Sequence, residues 1–273
     1  MSAEVLERAA AALAAAGCET PRLDAEVLLA EAVGVDRLTL LGRNGTALSG
    51  AQNRRFEALV ARRARREPVA YVVGRRAFRD LELAVDPRVL VPRPETELLV
   101  EAALELPRGA RVLDVGTGSG AVALALKHER PDLQVAGSDV SADALAVARA
   151  NGERLRLDVA WHRADLLSGT GGPWDAVVAN PPYVAKDELR ALAPEIGRHE
   201  PRAALEAGED GLEVISRLVS ELGGAGVHWV ALEVGLGQAA VVRERLSAAG
   251  YGFTEARSDL AGIPRAVVAR RDV

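Results

Sequence analysis

Val112-Leu113-Asp114-Val115-Gly116-Thr117-Gly118-Ser119-Gly120 decides how the rest of this chain is read. An apolar strand runs straight into a glycine-rich turn, and the alanine- and leucine-rich stretch from Ala121 has the composition of a helix. Glycines permit positive φ and let a ligand approach the backbone with no Cβ in the way, while the first turn of the helix offers unpaired N–H groups. Outward from this turn the elements alternate. The pattern predicts a strand at 111–115, a helix at 119–129, a strand at 134–138, a helix at 141–150 and strands at 155–161 and 174–179. A helix at 209–222, a strand at 227–234, a helix at 237–249 and closing strands at 251–258 and 265–270 follow. Strand-then-helix repetition implies a largely parallel sheet, here a seven-stranded α/β domain.

Upstream the character differs. Residues 2–17 carry leucines at helical spacing among alanines and stop at Gly17; Pro21 opens a second periodic stretch ending at Gly34. A short leucine-bearing segment at 36–41 and a helix at 50–65 complete a small all-helical unit. Short apolar runs from Phe78 to Val91, broken by Asp80 and Asp86-Pro87, predict a two-stranded hairpin, and a helix follows from Pro94 to about 106 with Glu95 and Glu97 near its positive end. The expected division is residues 1–75 helical, 76–92 connector and 93–273 α/β.

Of the 273 residues, 49% are hydrophobic and 27% charged, which excludes wholesale disorder. A formal charge of -5 argues against a protein that wraps nucleic acid with its whole surface. Residues 51–80 are the local exception: nine arginines (Arg54, Arg55, Arg62, Arg63, Arg65, Arg66, Arg75, Arg76, Arg79) face three acids, a balance of +6. That is either a solvated helix face or a docking face for an anionic partner. Cys18 is the single cysteine, so no intramolecular disulfide or thiolate cluster forms, and His128, His162, His199 and His228 have no metal-binding spacing. No metal is expected. No export segment or long apolar window is evident, and a cytoplasmic location is expected.

Asp139 follows the strand after the glycine turn, where its carboxylate can accept both hydroxyls of a ribose. With it, Gly116, Thr117, Gly118, Ser119 and Gly120 read as a cofactor loop. S-adenosyl-L-methionine is favoured over a nicotinamide cofactor, whose relaxed fingerprint Gly116-x-Gly118-x-x-Ala121 also satisfies, and over a simple tight turn. Asp165 fits an acceptor for an adenine amino group with Leu166 packing on the ring, the alternative being a surface acid.

The strand at 174–179 ends in Asn180-Pro181-Pro182-Tyr183, the strongest signal in the chain. Consecutive prolines hold the backbone extended and leave carbonyl oxygens facing a pocket. A planar NH2 group on a carbonyl or aromatic ring is a poor nucleophile. Two fixed acceptors, the Asn180 side-chain oxygen and the Pro181 carbonyl, could each take one of its N–H bonds and aim its lone pair at a methyl carbon, with Tyr183 covering the planar group. This corner does not distinguish a glutamine amide from the exocyclic amine of adenine or cytosine. Arg93 and Glu95 lie where they could clamp a substrate, or merely cap a helix and form ion pairs.

The combined pattern resembles the release factor glutamine methyltransferase family over nearly the whole chain. The similar stretches are Glu67 to Gly74, Val91 to Glu97, the glycine loop, Asn180 to Tyr183, Glu200 to Leu205, Asp210-Gly211-Leu212, Glu233-Val234-Gly235 with Gln238, and Asp259 to Arg265. The resemblance implies a class I (Rossmann-like) seven-stranded methyltransferase sheet, a helical N-terminal domain that holds the release factor, and a hairpin between them. It implies S-adenosyl-L-methionine held by residues 116–120, Asp139 and Asp165, with the family's usual aromatic residue beside the acid replaced by Leu166. The glutamine of a Gly-Gly-Gln loop in peptide chain release factors would be held by Asn180, Pro181, Pro182 and Tyr183. The enzyme is expected to be a monomer without membrane association or a stable nucleic-acid complex, meeting ribosome or RNA only in passing. The rival readings are an adenine-amino methyltransferase and a non-catalytic scaffold that retains a cofactor pocket.

Overall fold

The computed structural model describes residues 2–42 and 48–271. The chain forms two compact units: one runs to Arg75 and takes in Ala193–His199, and the other comprises Arg76–Leu192 and the chain from Glu200 onward. Residues 193–199, expected within the α/β part, belong to the first unit.

The first unit contains α1 (Ser2–Ala15), α2 (Pro21–Val33), α3 (Arg37–Gly42), α4 (Gly50–Ala64) and α5 (Val69–Val73). Leu6, Ala9 and Leu13 repeat at helical spacing along α1 and pack with Leu28 and Leu29 of α2, Phe56 and Leu59 of α4 and Val72 of α5. Gly34, at φ 79°, closes α2 through its N–H to the Ala30 carbonyl, and Ser49 opens α4 with a reciprocal capping box to Gln52. The arginine run is largely spent within this unit. Arg62 pairs with Glu67, Arg55 and Arg75 with Glu31, and the buried Arg63 with Asp24 at 2.7 Å. Arg63 and Arg66 also reach Glu195 on the short helix α9 (Pro194–His199) at 2.7 and 2.6 Å. The short α5 and α9 were not expected from sequence.

In the second unit, β1 (Arg75–Phe78) and β2 (Leu81–Ala84) form a hairpin. It ends earlier than the expected 78–91, because Val89 N–H turns back to the Asp86 carbonyl and the apolar run beyond becomes a buried loop. A single 3-10 turn, Pro94–Thr96, leads into α6 (Glu97–Ala103). The sheet then builds from β3 (Arg111–Val115), α7 (Ala121–Glu129), β4 (Gln134–Asp139), α8 (Ala142–Leu155), β5 (Ala160–Arg163), β6 (Ala176–Ala179), α10 (Glu213–Gly224), β7 (Trp229–Glu233), α11 (Ala239–Ala248), β8 (Phe253–Ser258) and β9 (Pro264–Arg270).

Its order is β5-β4-β3-β6-β7-β9-β8, with β5 to β7 parallel and β9 antiparallel to both neighbours. Both faces are covered, so the central strands are apolar on every side. Val112, Val135 and Val178 point to the layer of α6 and α7, whereas Leu113, Val177 and Val230 point to that of α10 and α11. One expected strand moved. The helix predicted at 141–150 runs on to Leu155 as α8, with the buried Asn151 amide held by the Ala84 backbone and the Ser119 carbonyl. The strand predicted at 155–161 therefore lies at 160–163. Among the described residues no helix is long and apolar enough to cross a membrane.

Candidate active site

Strand order reverses between β3 and β6, and a ligand crevice is expected at the carboxyl ends of strands flanking such a switch. A cavity of about 310 Å³ lies there. One wall is the glycine loop leaving β3, the other the Asn-Pro-Pro corner leaving β6. A Cβ built on Gly116 would stand 3.9 Å from the Asn180 carbonyl, which brings the two strand ends face to face.

On the β3 side, Gly116 and Gly118 adopt φ of 72° and 55°, and a Cβ on either would meet no atom nearer than 3.9 Å. The loop therefore presents bare backbone to the cavity. Asp139 accepts the Gly118 N–H at 3.0 Å and the Ser141 N–H at 2.9 Å, one on each carboxylate oxygen. Burial raises its pKa and these backbone donors oppose the rise. Each oxygen keeps acceptor capacity for a hydroxyl. Asp114 is the hidden support: it accepts from the Thr117 hydroxyl at 2.6 Å and the Ala123 N–H at 3.2 Å, and burial pushes it up to about 7.

Of the residues singled out in the sequence, Thr117, Ser119, Asp165, Leu166, Asn180, Pro181 and Pro182 also line the cavity. Asp165 shares its carboxylate with Arg217 at 2.7 Å. Leu166 is buried at φ 54°, a conformation uncommon for a branched side chain. The remaining expected residues stand back from the cavity. Gly120 serves packing, since a Cβ there would fall 3.0 Å from both Leu124 and Trp161. Arg93 is engaged by the buried Glu200 at 2.6 Å, and burial raises the Glu200 pKa against the pull of that guanidinium. The Glu95 carboxylate lies near enough to Glu233 for its charge to raise that group's pKa. Tyr183 turns its hydroxyl to Glu233 at 3.2 Å, and burial followed by that carboxyl raises its pKa, so it stays a donor.

The residues missed were Thr96, Asp114, Arg217 and Glu233. Asn180 Nδ2 donates to Thr96 Oγ1 at 3.1 Å, and the Thr96 hydroxyl donates to Glu233 Oε2 at 2.6 Å. The register pairs Ala179 with Leu232, so Glu233 sits beside Asn180 at the next step of the two strands. A carboxylate ending an otherwise apolar strand was the available signal. A second cavity, about 480 Å³, opens at the other end of β3 and β4 and holds none of the expected site residues.

A seven-stranded sheet whose switch point opens a cavity between a glycine loop and a second strand end is the arrangement of a class I methyltransferase. Residues 94–209 match the model of the methyltransferase small domain and residues 4–74 that of the PrmC N-terminal domain. A methyltransferase structure from Pyrococcus furiosus shares the fold with a TM-score of 0.55 at 19% identity, covering 72% of this chain and 92% of that one. The release factor glutamine methyltransferase of Deinococcus radiodurans is 41% identical, with 98% of each chain covered. That of Geobacter sulfurreducens is 39% identical, covering 98% of this chain and 95% of its own. The chain belongs to the release factor glutamine methyltransferase family, and it is an S-adenosyl-L-methionine-dependent enzyme.

Proposed function

We propose that this enzyme methylates the side-chain amide nitrogen of the glutamine in the Gly-Gly-Gln loop of peptide chain release factors, using Asn180 and Pro181 as paired acceptors. When bound, S-adenosyl-L-methionine supplies an electrophilic methyl group on a sulfonium and departs as neutral S-adenosyl-L-homocysteine. Gly116, Gly118 and Asp139 hold its nucleoside end, with Asp165 and Leu166 at the base. The observation that carries the reading is the Asn180 amide: its NH2 is committed to Thr96, which leaves Oδ1 as the atom available to the cavity.

Oδ1 and the Pro181 carbonyl each accept one N–H of the substrate amide. As positive charge grows on that nitrogen these hydrogen bonds strengthen, and the nitrogen then gives one proton to solvent. The rigid Pro181-Pro182 backbone fixes the second acceptor before the substrate arrives. Tyr183 supports the corner from behind. The helical unit is the release-factor-binding part, and the hairpin at 76–92 connects it to the catalytic part. The enzyme acts as a monomer in the cytoplasm, where its substrate works, and meets RNA only through the ribosome-bound factor.

Incubation with methyl-labelled cofactor and, separately, a release factor, the same factor with its loop glutamine changed, and bulk RNA tests the assignment. Label is expected on the unaltered factor alone; label on RNA, or on the altered factor, overturns it.

A further inference from the structure

Asn180 can serve as an acceptor only while its amide is held one way round, since a flip places NH2 where an oxygen is needed and turns attraction for the substrate N–H into repulsion. Nothing within Asn180-Pro181-Pro182-Tyr183 enforces that choice. The enforcement comes from two side chains far away in sequence. Thr96, which lines the cavity, is 5% exposed and Glu233 2% exposed, and the two form a chain of hydrogen bonds that ends on Asn180. Resting on the assignment of Asn180 as substrate acceptor, we propose that Thr96 and Glu233 are positioning residues. They form a polarised relay that locks the Asn180 amide with Oδ1 toward the substrate.

The polarity follows from proton counting. A hydroxyl has a single proton to donate. Ionised Glu233 is acceptor-only, and its Oε1 is taken up by the Tyr183 hydroxyl while Oε2, at 2.6 Å, receives the proton of Thr96. Thr96 has then only lone pairs to offer Asn180, so Asn180 must turn its NH2 to Thr96, 3.1 Å away. Protonating Glu233 removes this constraint. The carboxyl can donate to Thr96, Thr96 can donate to Asn180 Oδ1, and the amide is free to present NH2 to the cavity.

Burial pushes Glu233 up to about 7, opposed by hydrogen bonds from Thr96 and Tyr183; the Glu95 carboxylate adds to the rise and Arg265 works against it. These are the groups that face Glu233 from the turn before α6, from the chain after β6 and from β9. Turnover is therefore expected to rise as pH increases through about 7, the locked form being the ionised one.

The test compares Thr96→Val, which keeps shape and loses the hydroxyl, with Thr96→Ser, which keeps the hydroxyl, both assayed on a release factor that the wild-type enzyme first methylates. Thr96→Val is expected to lower kcat about 10- to 100-fold, the worth of a hydrogen bond to a charged group. KM and Kd for S-adenosyl-L-methionine should stay unchanged, while Thr96→Ser retains most of the turnover. Glu233→Gln should flatten the rise of kcat with pH near neutrality. Equal kcat for Thr96→Val and Thr96→Ser, or an unchanged pH profile in Glu233→Gln, overturns the relay. Thermal melts of each variant separate a lost relay from a lost fold. Absence of methylation by the wild-type enzyme would instead overturn the assignment on which the relay rests.

Discussion

The two walls of the cavity are built in different ways. The β3 wall is local: Thr117 bonds Asp114 three residues away, and Gly118 bonds Asp139 twenty-one residues away. Its donors are mostly backbone N–H groups, received by the carboxylates of Asp114 and Asp139. The β6 wall depends on distance: Asn180 leans on Thr96 across 84 positions, and Thr96 on Glu233 across 137. The bonds that link Asn180, Thr96, Glu233 and Tyr183 all run between side chains. Recognition of a nucleoside can be delegated to main-chain geometry that glycine makes possible, whereas aiming one acceptor oxygen requires a buried network whose protons are all accounted for.

The sharpest way to break this contrast is Asn180→Ala. If the β6 wall serves chemistry and the β3 wall binding, kcat should fall by roughly 10²- to 10³-fold, the usual cost of one lost electrostatic partner of a transition state. Cofactor affinity, read by calorimetry, should be preserved. The mirror experiment is Asp139→Ala, which removes the proposed ribose acceptor and frees the Gly118 and Ser141 N–H groups together. Its expected signature is a 10- to 100-fold weaker cofactor Kd, from the worth of hydrogen bonds to a charged group. A kcat loss at saturating cofactor as large as that of Asn180→Ala would erase the division of labour.

Gly120→Ala probes a third role. At φ 83°, with Leu124 and Trp161 3.0 Å from any Cβ, it is expected to cost about 1–3 kcal/mol of stability, seen as a lowered Tm, while residual folded enzyme binds cofactor normally. The smallest effect belongs to Arg217→Ala. The Arg217–Asp165 pair is more than half exposed, so releasing it should change cofactor Kd by less than about fivefold, in keeping with exposed ion pairs. A large loss there would make Arg217 a direct cofactor ligand.

The same contrast explains what could be read in the chain before its fold was known. Gly116 to Gly120 and Asp139 announce themselves because strand, turn and helix follow one another, and their spacing carries the geometry. Asn180 and Pro181 were legible as residue chemistry at a strand end. Thr96 was not, although Glu95 beside it drew attention as the conspicuous charge; its role needs the packing that buries Thr96 against β7. Glu233 was visible only as part of a family stretch, since nothing local says that β7 lies next to β6. Arg93 invited a clamping role and the arginines of 51–80 a docking role because charge is apparent in sequence, while ion-pair partners such as Glu200, Asp24 and Glu195 are remote. The end of α8 lay beyond the expected 150 for a similar reason, Asn151 being tied by three hydrogen bonds to distant backbone.

The most direct trial of the account is a crystal structure of the enzyme with S-adenosyl-L-homocysteine and a glutamine-bearing peptide from the release factor loop. The glutamine amide nitrogen should lie about 3 Å from both Asn180 Oδ1 and the Pro181 carbonyl oxygen, with Asn180 Nδ2 still on Thr96. An Asn180 side chain turned with Nδ2 toward the peptide, or a Pro181 carbonyl out of reach of the amide, would contradict it.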